Sequence, residues 1–353
     1  MLLFDITSRS TAWCFIDGSR RIEGELTALD DPFVSVEHRL GTLRDVGPIG
    51  YLLHHGGTTV KLPVSHVDPD TLLAIQRCSR FLPEQNDALF RLVNLGLSIL
   101  PAAAHLLFCD TAFFLDLPEH IHTYALPLSL AEPSLRRYGG FGLRHEWTWD
   151  SVQSLSVVPP SRLVSVCLSE VPNVAAIRDG KPVETSIGFT PLEGLSSARS
   201  SGDVDPTIIF ELHASGFSFG EIARMLTEQS GFSALLGREC TLAEIASGRS
   251  EDPELAQAKD FHVYQLKKYI GAFVSVLGGV DAIAFVTEDM ASYEDLMRSL
   301  SRELRFLAIR PALQLQASEA VVRLTEDDSR VQSYGLHYDK WKALYERALA
   351  YLA

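Results

Sequence analysis

The sequence predicts an α/β protein of two layered domains, and three observations carry that prediction. Short apolar runs that suit strands alternate along the chain with stretches of helical spacing. A strand-turn-strand unit opens the chain and another stands near its middle, a faint sign of two similar halves. At 353 residues the chain is too long for one small core and fits two domains that each bury their own.

Taken in order, residues 2–4 and 12–16 read as a β-hairpin ending at Asp17-Gly18, with the hydroxyl-rich turn Thr7-Ser-Arg-Ser-Thr11 between its strands. From 84 to 100, Leu89, Leu92, Val93 and Leu97 recur at helical spacing, and Pro101 stops the helix. The apolar run 106–108 is a buried strand that delivers the carboxylate of Asp110 to a cleft. Residues 163–168 and 173–177 form the second strand pair, joined to the next strand by the turn Arg178-Asp-Gly180. Polar, small and glycine-ended, 196–202 reads as a loop over the interdomain cleft. Helices are expected at 205–214, at 219–230 with Ser218 as N-cap, and at 261–277; a buried strand follows at 282–286. A terminal helix, 338–352, presents Trp341, Leu344, Tyr345, Ala348 and Leu352 on one apolar face.

Composition narrows the function classes. With 46% hydrophobic and 22% charged residues, the chain reads as an ordinary globular protein. A formal charge of −14 argues against nucleic acid, because neutralising phosphates takes a basic face and none is concentrated here. Cys14, Cys78, Cys109, Cys167 and Cys240 form no C-x-x-C pair, so they read as buried reduced thiols rather than as a disulfide framework or a zinc site. The opening Met-Leu-Leu-Phe-Asp reads as a strand rather than a signal peptide, since Asp5 interrupts it. The longest apolar stretches, such as 270–280, contain glycine and fall short of a membrane span. A cytoplasmic protein without membrane contact is expected.

The most informative residues are Cys109-Asp-Thr-Ala-Phe113, Leu117-Pro-Glu119 and Thr123-Tyr-Ala-Leu-Pro127. With them stand Ala176-Ile-Arg-Asp-Gly-Lys-Pro182, Thr185-Ser-Ile-Gly-Phe-Thr-Pro-Leu-Glu-Gly194, and Lys268-Tyr-Ile-Gly271 before Leu277-Gly-Gly-Val-Asp-Ala-Ile283. Together these blocks resemble the acetate kinase family, over nearly the whole chain. The resemblance implies a two-domain fold of the sugar kinase, Hsp70 and actin (ribonuclease H-like) superfamily. Its domains would be 1–148 with the terminal helix 338–353, and 149–337, which would carry the dimer contact. It also implies a cleft for ATP and Mg2+ in which the γ-phosphoryl moves onto a carboxylate. This chain is shorter than a typical member, largely after Ile283.

Where the chemistry of that family should sit, the motifs depart from its pattern. The opening loop reads Asp5-Ile-Thr-Ser-Arg-Ser-Thr-Ala12, with Asp5 for an asparagine and Ala12 for a lysine. Asp5, Ser8 and Ser10 remain as cofactor-side candidates, Asp5 as a magnesium ligand. Arg-Val-Val-His-Gly-Gly has become Leu52-Leu-His-His-Gly-Gly57, which costs one substrate arginine. Gln85-Asn-Asp87 keeps only Asn86 of His-Asn-Pro, and Arg136-Arg-Tyr-Gly-Gly-Phe-Gly-Leu-Arg-His145 has Phe141 where the histidine facing the phosphoryl belongs. The second phosphate loop, Gly-Asn-Gly in the family, is Ser169-Glu-Val-Pro-Asn173, obstructed by Val171 and Pro172. Arg199 falls one place early in Arg199-Ser-Ser-Gly-Asp203, and the nucleotide loop Gly-Ile-Gly-Glu-Asn is Glu288-Asp-Met-Ala-Ser292.

These losses lead to the expectation of a degenerate acetate kinase homologue, a catalytically impaired pseudoenzyme with a binding or regulatory role and no cofactor. The alternative is a divergent carboxylate kinase using ATP and Mg2+, with Arg199, Arg144 and Arg136 supplying positive charge. The candidate site is Asp110 and Arg199 for chemistry, with Asn86, Phe141 and Pro191 lining the substrate pocket. Expected partners are a second copy or a related kinase, and a small carboxylate ligand.

Overall fold

The computed structural model describes residues 1–7, 10–26, 31–43, 46–127, 135–156, 158–247, 252–317 and 320–353. The chain opens with a meander of β1 (Leu2–Ile6), β2 (Thr11–Asp17) and β3 (Arg20–Leu26). It continues through α1 (Pro32–Leu40), β4 (Ile49–Leu53), β5 (Val64–His66), α2 (Pro69–Cys78), α3 (Pro83–Ile99) and β6 (His105–Cys109). A 3₁₀ helix over Asp110–Asp116, then α4 (Glu119–His122) and α5 (Gly142–Leu155), lead to a second meander. That meander is β7 (Arg162–Cys167), β8 (Asn173–Arg178) and β9 (Lys181–Thr185). Five helices follow: α6 (Thr207–Ala214), α7 (Phe219–Glu228), α8 (Gly231–Leu236), α9 (Leu242–Ser247) and α10 (Pro253–Leu277). The chain closes with β10 (Ala282–Thr287), α11 (Met290–Glu303), β11 (Pro311–Ala317), β12 (Val321–Thr325), β13 (Gln332–His337) and α12 (Lys340–Leu352).

The two sheets repeat one plan. The first runs β3-β2-β1-β4-β6-β5, and β1, β4 and β6 are its parallel strands. The second runs β9-β8-β7-β10-β13-β12-β11, with β7, β10 and β13 parallel in the corresponding places. In each, a three-stranded antiparallel meander flanks the first parallel strand and an antiparallel strand closes the far side. The repeated hairpin in the sequence thus belongs to a repeated sheet. Its second turn needs left-handed backbone at Asp179 (φ 51°) and Gly180 (φ 79°), which the Asp-Gly pair supplies at low cost.

Alternation along the strands sets the site. On one face of the first sheet Leu2, Phe4, Tyr51, Leu53 and Leu107 pack under α1 and α3. On the other, Leu3, Leu52, Leu106 and Phe108 pack against Trp341, Leu344 and Ala348 of α12. With a period of two, Asp5, His54 and Asp110 follow Leu3, Leu52 and Phe108 on the α12 side. Leu52 is therefore a core residue, 5% exposed, beneath α12. The sequence-based apolar face of the last helix ends early: Leu352 is 39% exposed and lies outside the cluster that holds Trp341, Leu344, Tyr345 and Ala348.

Two further expectations change. The segment 196–202 is packed scaffold rather than a cleft cover: Ser196 and Ser197 are buried, Ser196 bonds the carbonyl of Ser201, and Phe232 N bonds Ser197 O at 3.1 Å. The long helix starts at Pro253, earlier than its apolar spacing indicated, because Asp252 caps it by accepting from Glu254 N and Leu255 N. Ser218 does cap α7, in a reciprocal capping box with Glu221.

One glycine fixes α5 against the site. A Cβ on Gly142 would lie 2.2 Å from the Asp110 carbonyl oxygen and 2.6 Å from Phe113 Cβ. Gly142→Ala is expected to cost about 2 kcal/mol in urea unfolding, the usual size of an overpacking strain, and an unchanged midpoint would refute this close contact.

Candidate active site

The site lies at the carboxyl ends of the parallel strands of both sheets, the position where open α/β sheets bind ligands. From the first sheet come Asp5 at the end of β1, His54 just after β4 and Asp110 just after β6. From the second come Cys167 at the end of β7, Glu288 after β10 and Tyr338 after β13. Arg144, from the first turn of α5, pairs with Glu288 of the second group, and Lys340, from the first turn of α12, pairs with Asp5 of the first.

His54 bridges the two buried carboxylates. Its Nε2 is 2.8 Å from Asp5 Oδ1 and its Nδ1 is 3.2 Å from Asp110 Oδ2. Ionised carboxylates only accept hydrogen bonds, so both ring nitrogens donate and His54 is an imidazolium. Burial works against that charge, but Asp5 and Asp110 outweigh it and hold the His54 pKa up at about 10. The other oxygen of Asp5 pairs with Lys340 Nζ, which also lies 4.5 Å from the Trp341 ring centroid. Burial alone would raise the Asp5 carboxyl; the two cations more than reverse this and hold it far below the usual carboxylate range.

Arg144 is buried at 6% exposure and pairs with Glu288, while Tyr338 stacks under its guanidinium at 4.6 Å. Among the described residues its Nε and Nη1 have no hydrogen-bond acceptor. Burial disfavours the charge, but the carboxylates of Glu288 and, less strongly, Asp110 outweigh it and keep the guanidinium protonated. Three carboxylates, Asp5, Asp110 and Glu288, therefore face three cations, His54, Lys340 and Arg144. Beside them burial pushes the Cys167 thiol up to about 12, which leaves it inert.

The remaining candidates lie as follows. Asn86 is buried and donates to the carbonyls of His55 (3.1 Å) and Cys78 (2.9 Å). Its neighbour His55 stacks on Phe81 at 4.2 Å and borders an aromatic cluster with Tyr138 and Phe189. Pro191 is half-buried in the turn beyond Phe189. Phe141 heads α5 in left-handed backbone (φ 56°), rare for an aromatic residue, with the Arg144 guanidinium 5.7 Å from its ring centroid. Arg199 pairs with Glu239 at 2.6 Å on a partly exposed surface, and Arg136 donates to the carbonyls of Phe114 and Leu115. Ser10 bonds Glu25 across the β2–β3 edge; Ser8 lies outside the described residues. His145 lies between Ser165 (2.8 Å) and Asn173 (2.7 Å), and burial lowers its pKa to about 4 against the opposing Asn173 hydrogen bond, so the ring is neutral.

The donor set does not fit a resident magnesium ion. Both oxygens of Asp5 carry protein cations, and Mg2+ demands a near-octahedral shell of oxygens. Among the described residues no cluster of three or more His, Cys, Asp or Glu side chains could hold a metal.

A family model described as the acetokinase family matches residues 25–340. The chain belongs to that family. It is 32% identical to an acetate kinase of Coprothermobacter proteolyticus over 82% of this chain and 74% of that protein. With an acetate kinase of Desulfotalea psychrophila it shares 33% identity, over 75% of this chain and 66% of the other. The solved acetate kinase of Porphyromonas gingivalis superposes with a TM-score of 0.83 at 22% identity, covering 100% of this chain and 99% of that one. A propionate kinase from Francisella tularensis gives 0.83 at 21%, covering 95% of each. The fold is thus the two-domain fold of these solved acetate and propionate kinases. Against the acetokinase pattern Arg-Val-Val-His-Gly-Gly, His54 replaces the second valine. A polar residue interrupting an apolar strand end was the available signal for it. Lys340 carried no comparable signal, since it meets Asp5 from 335 residues away.

Proposed function

We propose that this acetokinase-family protein transfers a phosphoryl group between ATP and a short carboxylate, in a cleft where Arg144 replaces the positive charge of the missing motif arginines. The observation that carries the reading is that two buried nitrogens of Arg144, Nε and Nη1, find no acceptor among the described residues, beside the charge of Asp110. Leaving such donors unpaired costs about 1–3 kcal/mol, and an anionic oxygen satisfies them. Phosphoryl transfer asks chiefly for positioning and charge stabilisation. Asp110 contributes by fixing His54 as a cation at the strand ends. The names of the relatives support acetate as a substrate, and the propionate kinase among the solved structures supports a longer homologue.

Residues 1–148 with 338–353 are proposed as one domain and 149–337 as the other; the packing of α12 on the first sheet supports the assignment of the terminal helix, whereas α5 (Gly142–Leu155) runs across the 148/149 boundary and packs Trp147, Trp149 and Val152 with the second sheet. A homodimer through the second unit is supported by α6, which buries none of its residues and exposes Ile208 (44%) and Phe210 (65%) next to Phe217 and Phe219. Phe210→Glu is expected to halve the mass seen by light scattering, and an unchanged mass would move the contact elsewhere. A reducing, cytoplasmic setting agrees with five free buried cysteines. Among the described residues no helix is long and apolar enough to cross a membrane.

A second reading, a catalytically impaired protein with a binding or regulatory role, is favoured by the internal charge balance and by Glu288 seated on Arg144. One assay separates the two: incubate the protein with ATP and a series of carboxylates from acetate upward, and trap acyl phosphate as hydroxamate. Turnover with at least one carboxylate supports the kinase. No product from any of them, with the protein folded, supports the second reading.

A further inference from the structure

The acidic residue at the end of β1 stands where a phosphoryl-transfer cleft would gather a divalent cation, yet its environment is that of a carboxylate already served by cations. Asp5 is 4% exposed; one oxygen meets His54 and the other Lys340. Lys340 is placed there by the first turn of α12. Asp339 caps α12 by accepting from Lys342 N at 3.1 Å and is itself held by Arg21, while the Trp341 ring lies under the ammonium. An ammonium in that place repels a second cation and blocks the oxygen a metal would use. His54 in turn closes the path from Asp5 to Asp110, the two carboxylates between which a metal would sit.

We propose that Lys340 and His54 take the place of a divalent cation at this site, so that the cleft presents chain-borne positive charge to an anionic ligand and has no affinity for magnesium of its own. Any metal then enters only as part of a substrate, bound to its phosphates. The proposal concerns the protein before substrate arrives, so it stands or falls separately from the kinase reading.

The test uses Mg2+ alone as the probe, read by calorimetry and by thermal unfolding of the full chain without nucleotide. The wild-type protein is expected to show no saturable Mg2+ binding at millimolar metal and no rise in Tm. Lys340→Met, and more strongly the double variant Lys340→Met/His54→Gln, are expected to gain a Mg2+-dependent rise in Tm, because carboxylate oxygens are released for the ion. Adding Asp5→Asn should remove that gain. Saturable Mg2+ binding by the wild-type protein that Asp5→Asn abolishes would overturn the proposal. So would folded Lys340→Met and double-variant proteins that remain indifferent to Mg2+. Should the variants fail to fold, the wild-type and Asp5→Asn titrations alone still decide it.

Discussion

Asp110→Asn is expected to lower acyl phosphate formation by about two to three decades, the usual loss when one charged group is removed from a preorganised site. The fold should survive, because the asparagine carbonyl can still accept from His54 Nδ1 and His54 keeps its bond to Asp5 at 2.8 Å. What disappears is the second negative charge that holds His54 doubly protonated at the end of β4. The loss should fall on kcat more than on KM, since Asp110 organises cations and does not itself attract an anion. A variant that turns over like the wild type would remove Asp110 from the mechanism. A fall in kcat matched by a fall in thermal stability would mark it as structural.

Acid should destabilise the protein steeply between pH 6.5 and pH 4. His55, His145 and His262 are buried and neutral, and burial lowers the pKa of each to about 4. In the unfolded chain they titrate near 6.5, so between these values the unfolded state binds more protons. Stability is then fully present above 6.5 and is lost as pH falls. Each histidine contributes up to about 1.4 kcal/mol per pH unit. His54 does not oppose this: its pKa is raised, so its contribution is complete below 6.5 and is lost only as pH rises toward about 10. His262 isolates the effect, because among the described residues neither ring nitrogen has a hydrogen-bond partner and its ring sits against Phe232 in the core of the second sheet. His262→Leu should raise the urea midpoint at pH 5 and flatten its pH dependence. An unchanged slope would show that His262 does not titrate on unfolding.

The sequence made the scaffold visible wherever the determining interactions were local. The apolar run 106–108, the N-cap at Ser218 and the Asp179-Gly180 turn each depend on residues within a few positions, and each is where it was expected. The edge strand β3 escaped because half-exposed Arg20, Arg21 and Glu23 leave it little apolar alternation. The site was legible at Asp110 and Asp5 as residues but not as a circuit. Its partners, His54, Lys340, Arg144 and Glu288, come from four elements that meet only once the two sheets are assembled. Reading each motif by its missing arginine therefore counted charges lost; it named Arg144 as a replacement but missed His54 and Lys340, the cations the fold brings onto Asp5.

The central claim is that this rearranged cleft still receives ATP, with Arg144 as its anion-binding group. Calorimetric titration of the folded protein with ATP tests it most directly, with Arg144→Met alongside. The account predicts saturable binding at one site per chain, weakened about tenfold or more in the variant, the size expected for losing charge-assisted hydrogen bonds. Absence of binding at millimolar ATP, or identical affinity in Arg144→Met, would contradict it.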